Sequence, residues 1–137
     1  MAEKKERYFK SVEEAAEFFK KDQFATNAGM YLTDLTEESS ECRVTLTEAH
    51  QNANGGIMGG VMFTLCDLAF AALANHIHMP TVAQQVSINY LNAPKGKELI
   101  AKATCKKEGR NSTIINVDVV DDTGRDIAQF VGVGFRL

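Results

Sequence analysis

The sequence predicts an α+β fold in which one long central helix is wrapped by a curved antiparallel sheet. Residues 59–75 are apolar on all helical faces and rich in helix-forming residues, so we expect a helix that is buried on all sides. After Pro80, four strand-like runs are separated by turn signals, and strands that follow one another through short turns form antiparallel sheets. A helix without a polar face needs a sheet that curves around it.

The remaining elements follow from local patterns along the chain. A short N-terminal helix is predicted over residues 11–22, because Ser11 and Glu14 have capping-box spacing and apolar residues then recur at helical intervals. Strands are predicted over residues 30–35 and 42–46, with a turn at 37–41 between them and a loop rich in Asn and Gly at 50–58. The later strands are predicted over residues 82–91, 98–107, 113–120 and 127–135.

Composition limits the classes of protein to consider. A chain of 137 residues suits one domain. Its 15 basic and 18 acidic side chains give a net charge of −3, which disfavours nucleic acid as a partner. Three cysteines without a C-x-x-C pair, and an N-terminus without an apolar run, predict a cytoplasmic protein with no structural disulfide and no metal site. The longest apolar stretch, residues 61–74, is too short to span a membrane.

One carboxylate, Asp67, interrupts the apolar helix. Burying an ionised carboxylate without partners is costly, so Asp67 is expected to pair inside the protein or to face a cleft. A functional group is one explanation, because ionisable groups in apolar surroundings are enriched at active sites. A core carboxylate with satisfied partners, or a contact between subunits, explains the residue equally well.

Two glycines and an asparagine lie just before and at the start of the same helix. Gly59 and Gly60 would let a ligand approach exposed backbone N–H groups, where the helix dipole favours negative charge such as a developing oxyanion. Asn52, in QNANGG, offers an amide donor that can polarise a carbonyl. Close packing at the helix start and ordinary turn chemistry are the alternative explanations.

Residues 95–110 are locally basic. They contain six Lys or Arg side chains and two Glu, a local charge of +4 in a chain of net charge −3. Within this stretch, Lys107 and Arg110 would suit the phosphates of a nucleotide-bearing substrate. The alternative is a solvated strand edge on which lysines discourage pairing with other chains.

Residues 52–67, NANGGIMGGVMFTLCD, combine these features into one motif. The motif resembles that of the hotdog-fold thioesterases of the phenylacetate-degradation (PaaI-like) family, in which Asn-x-x-Gly-x-x-His-Gly-Gly is followed along the helix by Asp. Residues 87–94, SINYLNAP, resemble the family's strand after the helix, and the likeness extends from about Gly29 to the end. It implies a single hotdog thioesterase domain over residues 1–137, with residues 1–28 as an N-terminal helical extension.

The resemblance also implies an activity and an assembly. Family members hydrolyse acyl-coenzyme A (acyl-CoA) thioesters, here with aryl or short- to medium-chain acyl groups, and coenzyme A is part of the substrate rather than a cofactor. They form homodimers with a continuous sheet, often assembled as homotetramers (dimers of dimers), with active sites at the subunit interface. No metal, membrane or nucleic-acid partner is implied.

Roles for individual residues follow from the resemblance. The backbone N–H of Gly59, helped by the side chain of Asn52, would bind the thioester oxygen, and Asp67 of the partner subunit would act as general base or nucleophile. The substrate would be bound by further residues along the helix, the following strand and the basic stretch: Met58, Gly60, Phe63, Ala83, Gln85, Lys107 and Arg110.

Two positions depart from the family pattern. Met58 replaces the usual His before Gly-Gly and can neither donate a hydrogen bond nor take a proton. Ala83 stands where some relatives carry a water-orienting Ser or Thr; Thr81 and Gln85 share its face of a regular strand and would substitute for it. A non-catalytic or slow acyl-CoA-binding module of the same fold is therefore an alternative function. A hydratase is a third, although such sites normally use a His.

Overall fold

In the computed structural model, which describes residues 5–137, a 19-residue helix lies against one six-stranded antiparallel sheet. Residues 1–4 of the predicted N-terminal extension lie outside the described residues. The strand order is β1-β2-β4-β5-β6-β3. This arrangement confirms the predicted fold class. The elements in chain order are α1 (Val12–Phe19), α2 (Gln23–Asn27), β1 (Tyr31–Leu35), β2 (Ser39–Thr45), a 3₁₀ turn (Glu48–His50), α3 (Gly59–Ile77), β3 (Thr81–Tyr90), β4 (Glu98–Glu108), β5 (Ser112–Asp121) and β6 (Asp126–Arg136).

The predicted N-terminal helix is divided into two helices. Ser11 caps α1 by accepting a hydrogen bond from the N–H of Glu14 at 3.1 Å. The helix ends at Phe19 rather than at residue 22, because Asp22 caps α2 through the N–H of Ala25 at 3.1 Å. The sequence does not predict α2, because five residues are too few to show a helical period.

β2 begins at Ser39, so the predicted turn over residues 37–41 is wrong for its last three residues. These residues pair with Thr104, Ala103 and Lys102 of β4. The Ser40 hydroxyl also donates a hydrogen bond of 2.6 Å to the carbonyl of Ala69 in α3, which fixes the strand on the helix. These polar residues therefore continue the strand, because β4 and α3 provide partners for their hydrogen-bonding groups.

α3 is not buried on all sides, contrary to the sequence expectation. Ten of its residues are buried among the apolar residues on the inner face of the sheet. Its length and hydropathy would suffice for a membrane span, as they do in many core helices. One stripe along the helix stays partly or fully exposed in the described chain, and it contains Gly60, Thr64, Asp67, Ala71 and Asn75. These residues follow the three- and four-residue spacing of a single helix face.

β3 lies at one edge of the sheet and pairs on one side only, with β6. Gln84 forms a bulge, because Ala83 lies opposite Gly134 whereas Gln85 lies opposite the next residue, Val133. Gly134 faces α3, so Ala83 faces it too, and Gln85 lies on the outer face of the sheet. The expectation that Gln85 shares the face of Ala83 is therefore wrong.

Candidate active site

A cavity of about 1300 Å³ lies beside the N-terminal end of α3. Four of the sequence-predicted site residues line it: Asn52, Met58, Gly60 and Phe63. The rest of the wall comes from α2 and the segment after it, from the end of β2, from the loop around the 3₁₀ turn, from further residues of α3 and from Tyr90 at the end of β3. Most of the surface of the wall is apolar, so the cavity suits a ligand with a large apolar part.

The start of α3 offers backbone donors that the described chain does not use. Met58 occupies the N-cap position without a side-chain hydrogen bond. The N–H groups of Gly59 and Gly60 have no acceptor among residues 5–137, and they point out of the positive end of the helix dipole. Such an end attracts an anion or a developing oxyanion.

Tyr90 packs directly on Gly59. A Cβ atom at position 59 would lie 3.2 Å from the Tyr90 ring, so any larger residue here would require the ring to shift by a few tenths of an ångström. Gly59 faces a shallow groove of about 380 Å³, and Tyr90 lines both this groove and the cavity. The ring therefore stands between the two recesses.

The side chain of Asn52 has a structural use and a free end. Its Oδ1 accepts hydrogen bonds from the N–H groups of Asn54 at 2.9 Å and Gly56 at 3.1 Å, which hold the turn. Gly55 adopts φ +84°, a conformation that favours glycine. The Nδ2 group of Asn52 has no acceptor in the described part of the chain, and it remains available beside the cavity. Asn52 can therefore hold the turn through Oδ1 and donate a hydrogen bond to a ligand through Nδ2.

Asp67 lies half-buried on the exposed stripe of α3. Its carboxylate accepts no hydrogen bond from the residues that the structure describes. Burial raises the pKa of Asp67 above its ordinary value, and the neighbouring carboxylate of Asp22 raises it further. Eight residues of helix separate Asp67 from Gly59, about 12 Å at 1.5 Å per residue. One chain therefore does not bring the two groups to the same atom.

The other four predicted site residues do not line the cavity of the same chain. Ala83 faces the middle of α3, and Gln85 faces outward. Lys107 and Arg110 lie at or beside the β4–β5 hairpin, where the carbonyl of Gly109 accepts a hydrogen bond of 2.8 Å from Nε2 of His78. His78 ends α3, so this hairpin is at the opposite end of the helix from Gly59.

Sequence reasoning missed His50, which connects the parts of the cavity wall. Its Nδ1 accepts a hydrogen bond from the N–H of Thr47 at 2.9 Å, so its Nε2 carries the proton that it donates to the carbonyl of Ala28 at 2.7 Å. The carbonyl of His50 accepts from the N–H of Met58 at 2.9 Å. The capping-box spacing of Thr47 and His50 was the available signal. The sequence did not indicate Phe24 as a site residue, because it did not predict α2.

The cysteines and acidic residues do not form a further centre in the described chain. Cys42, Cys66 and Cys105 are free thiols, and the first two are buried. Among residues 5–137, no group of three His, Cys, Asp or Glu side chains is placed to hold a metal ion.

Comparison with known proteins identifies the family. Residues 54–128 match the model of the Thioesterase superfamily. A putative esterase of Deinococcus radiodurans is 31% identical over 115 residues, which cover 82% of this chain and 78% of that protein. The acyl-coenzyme A thioesterase PaaI of Escherichia coli is 25% identical over 129 residues, 93% of this chain and 92% of PaaI.

Solved structures agree in fold. The structure of E. coli PaaI matches with a TM-score of 0.84 and 23% identity, covering 93% of this chain and 96% of that one. A hypothetical thioesterase of Streptococcus pneumoniae, solved with coenzyme A, matches with a TM-score of 0.78 and 26% identity, covering 85% of this chain and 94% of that one. The chain therefore belongs to the thioesterase superfamily and is a PaaI-like thioesterase with the hotdog fold.

Proposed function

We propose that this protein hydrolyses the thioester of an acyl-CoA to a free acid and coenzyme A, at sites shared between two copies of the chain. The observation that carries the proposal is the uncapped start of α3, where the N–H groups of Gly59 and Gly60 have no acceptor among residues 5–137. Gly60 lines the apolar cavity, and Gly59 lines the groove on the other side of Tyr90. The name of E. coli PaaI and the coenzyme A in the S. pneumoniae structure support the choice of substrate.

Two features support the need for a second copy. Within the described chain, β3 has an unpaired edge and the α3 stripe that contains Asp67 is not covered. A second β3 pairing antiparallel with the first would continue the sheet and place a second α3 alongside. The partner subunit's Asp67 would then approach Gly59, across the distance that one chain cannot span. We propose a homodimer as the catalytic unit and a homotetramer as its assembly.

In the proposed reaction, the N–H of Gly59 binds the thioester oxygen, with the free Nδ2 group of Asn52 as a second donor. The partner subunit's Asp67 takes a proton from water as the water attacks the carbonyl carbon, or attacks that carbon itself. In the first route the carbonyl oxygen re-forms its double bond as the C–S bond breaks, and the proton held by Asp67 passes to the leaving sulfur. In the second route the same collapse expels the thiolate and leaves an acyl–Asp67 anhydride, which water hydrolyses to the free acid and the regenerated carboxylate, and a proton of that water passes to the thiolate. A carboxylate with a raised pKa is a better proton acceptor than an ordinary one.

Acyl-CoA binding with little or no hydrolysis is the second candidate, and specific observations favour it. Thr81 faces α3 beside Ala83, but its hydroxyl already donates a hydrogen bond to the carbonyl of His78. Gln85 faces away. Neither side chain therefore replaces the hydroxyl that Ala83 lacks, and Met58 offers no proton.

Two further expectations accompany the proposal. Lys107 and Arg110 are exposed, and we propose that they contact the nucleotide phosphates of acyl-CoA bound mainly by the partner subunit. We also propose a cytoplasmic location, which suits three free cysteines.

The test is thiol release from a panel of aryl-, short-chain and long-chain acyl-CoA, with wild type beside Asp67→Asn. Loss of the base should lower kcat by about 10²–10⁴-fold. The control is Asp118→Asn, an exposed carboxylate on β5, which should keep wild-type activity. Full activity of Asp67→Asn would refute the mechanism. Tight acyl-CoA binding by calorimetry, without thiol release by the wild type, would establish the binding module instead.

A further inference from the structure

Phe24 is a large apolar side chain that is left in solvent at the cavity. It lies on α2, outside the region that matches the family model, and it is 74% exposed while lining the cavity wall. Exposed apolar surface on the wall of a concave site marks the place where a ligand makes contact. The ligand that buries Phe24 would be apolar where it meets this ring.

The position of Phe24 is fixed by its neighbours. Asp22 caps the helix, and Ala25, the next residue, is almost fully buried. The imidazole of His50 donates to the carbonyl of Ala28 at the other end of α2. The same histidine is joined through its own carbonyl to the N–H of Met58, the residue before Gly59. The backbone that carries Phe24 is therefore held at a fixed position relative to the start of α3, as a specificity wall requires.

Three other large side chains of the wall are also apolar or aromatic and exposed. Met58, Phe63 and Tyr90 expose 52%, 36% and 53% of their surfaces, and all three line the cavity with Phe24. Asn52 and the start of α3, where the thioester is proposed to bind, are among the polar groups of this recess.

We propose that Phe24 is a specificity-determining residue, which contacts the distal apolar part of the acyl group and favours bulky acyl chains over acetyl. This inference rests on the proposed function. A thioester whose carbonyl oxygen lies at the start of α3, near Gly59 and Asn52, and whose acyl chain enters the cavity that Gly60 lines, would reach α2 along the apolar wall, whereas an acetyl group would end before it. The alternative occupant of this surface is a second copy of the chain.

The experiment compares octanoyl-CoA with acetyl-CoA as substrates of wild type, Phe24→Ser and Phe24→Leu. Phe24→Ser should lower kcat/KM for octanoyl-CoA by about ten- to hundredfold, because burial of most of an aromatic side chain is lost. The same variant should leave kcat/KM for acetyl-CoA within about twofold, and Phe24→Leu, which keeps apolar volume, should restore most of the octanoyl rate. Phe135→Ala, an exposed aromatic on β6, is the control and should change neither substrate.

Three results would overturn the inference: parallel losses with both substrates, no loss with octanoyl-CoA, or a Phe24→Leu variant as impaired as Phe24→Ser. Light scattering tests the other occupant, since a smaller assembly for Phe24→Ser would assign the surface to a subunit contact. If the wild type releases no thiol from any acyl-CoA, the proposed function fails. In that case calorimetry tests the role of Phe24 by itself. Phe24→Ser should weaken the binding of octanoyl-CoA but not that of coenzyme A, and an equal loss of affinity for both ligands would overturn the inference.

Discussion

At Gly132 the sheet lies close against Phe70 of α3, and adding one methyl group there should lower the stability of the fold. A Cβ atom at Gly132 would lie 2.7 Å from two ring carbons of Phe70 and 3.0 Å from a ring carbon of Phe130. Phe70 is 2% exposed and Phe130 is fully buried, so neither ring can turn into solvent. The φ of Gly132 is not positive, so the expected cost is steric and not one of backbone strain.

Overpacking of a closed core by a methyl group costs about 1–3 kcal/mol. For a domain of this size Gly132→Ala should therefore lower Tm by roughly 3–10 °C, measured by circular dichroism at fixed protein concentration. The control is Gly56→Ala. Its added Cβ would meet only side-chain atoms of Asn52, at 3.7 Å or more, and its φ is not positive either. Gly56→Ala should leave Tm nearly unchanged.

A double-mutant cycle identifies the contact responsible. Phe70→Leu alone destabilises the core by leaving space, but in the Gly132→Ala background it removes the colliding ring edge. The double variant should therefore be more stable than the sum of the two single losses, by about 1 kcal/mol or more. Additive losses, or an unchanged Tm for Gly132→Ala, would refute the reasoning.

Two carboxylates should give opposite dependences of stability on pH. Burial, and secondarily Asp22, raise the pKa of Asp67 above 3.8, so its stabilising protonated form is lost as pH rises through the folded-state value. Asp67→Asn should therefore raise Tm near neutral pH and lose this advantage below about pH 4; equal Tm values near neutrality would contradict this. The hydroxyl of Thr123, followed by backbone N–H groups, holds the pKa of Asp121 well below its ordinary value, so its contribution is present above about pH 4 and fades in stronger acid. Asp121→Asn should lower Tm near neutrality by several degrees, with the gap closing in strong acid; a constant gap would contradict this.

The fold could be predicted where its signals are local. α3 and the four strands that follow it carry their own apolar or alternating patterns, and the predicted bounds agree with the structure within about two residues. α2 could not be predicted, because its five residues depend on a cap from Asp22 and a hydrogen bond from His50. The bulge at Gln84 arises from pairing with β6, which lies far along the sequence.

The site could be predicted where one motif carries it. Residues 52–67 are close in sequence, so the motif correctly places Asn52, Met58 and Gly60 around one recess, while their chemical roles stay predictions. Lys107 and Arg110 belong to a hairpin at the other end of α3, and only the tertiary fold shows that separation. Phe24 reaches the cavity from a segment without any motif.

The ends of the helices argue for function at the start of α3. At the start of α1, of α2 and of the 3₁₀ turn, the N-cap side chain accepts a hydrogen bond from one backbone N–H of the first turn. The caps are Ser11, Asp22 and Thr47. α3 is the longest helix of the described chain, and its N-cap Met58 supplies no acceptor. A cap would stabilise this end by about 1 kcal/mol, and the same chain supplies caps elsewhere. Free donors at this end, next to an apolar cavity, therefore agree with selection for a bound oxygen rather than for stability.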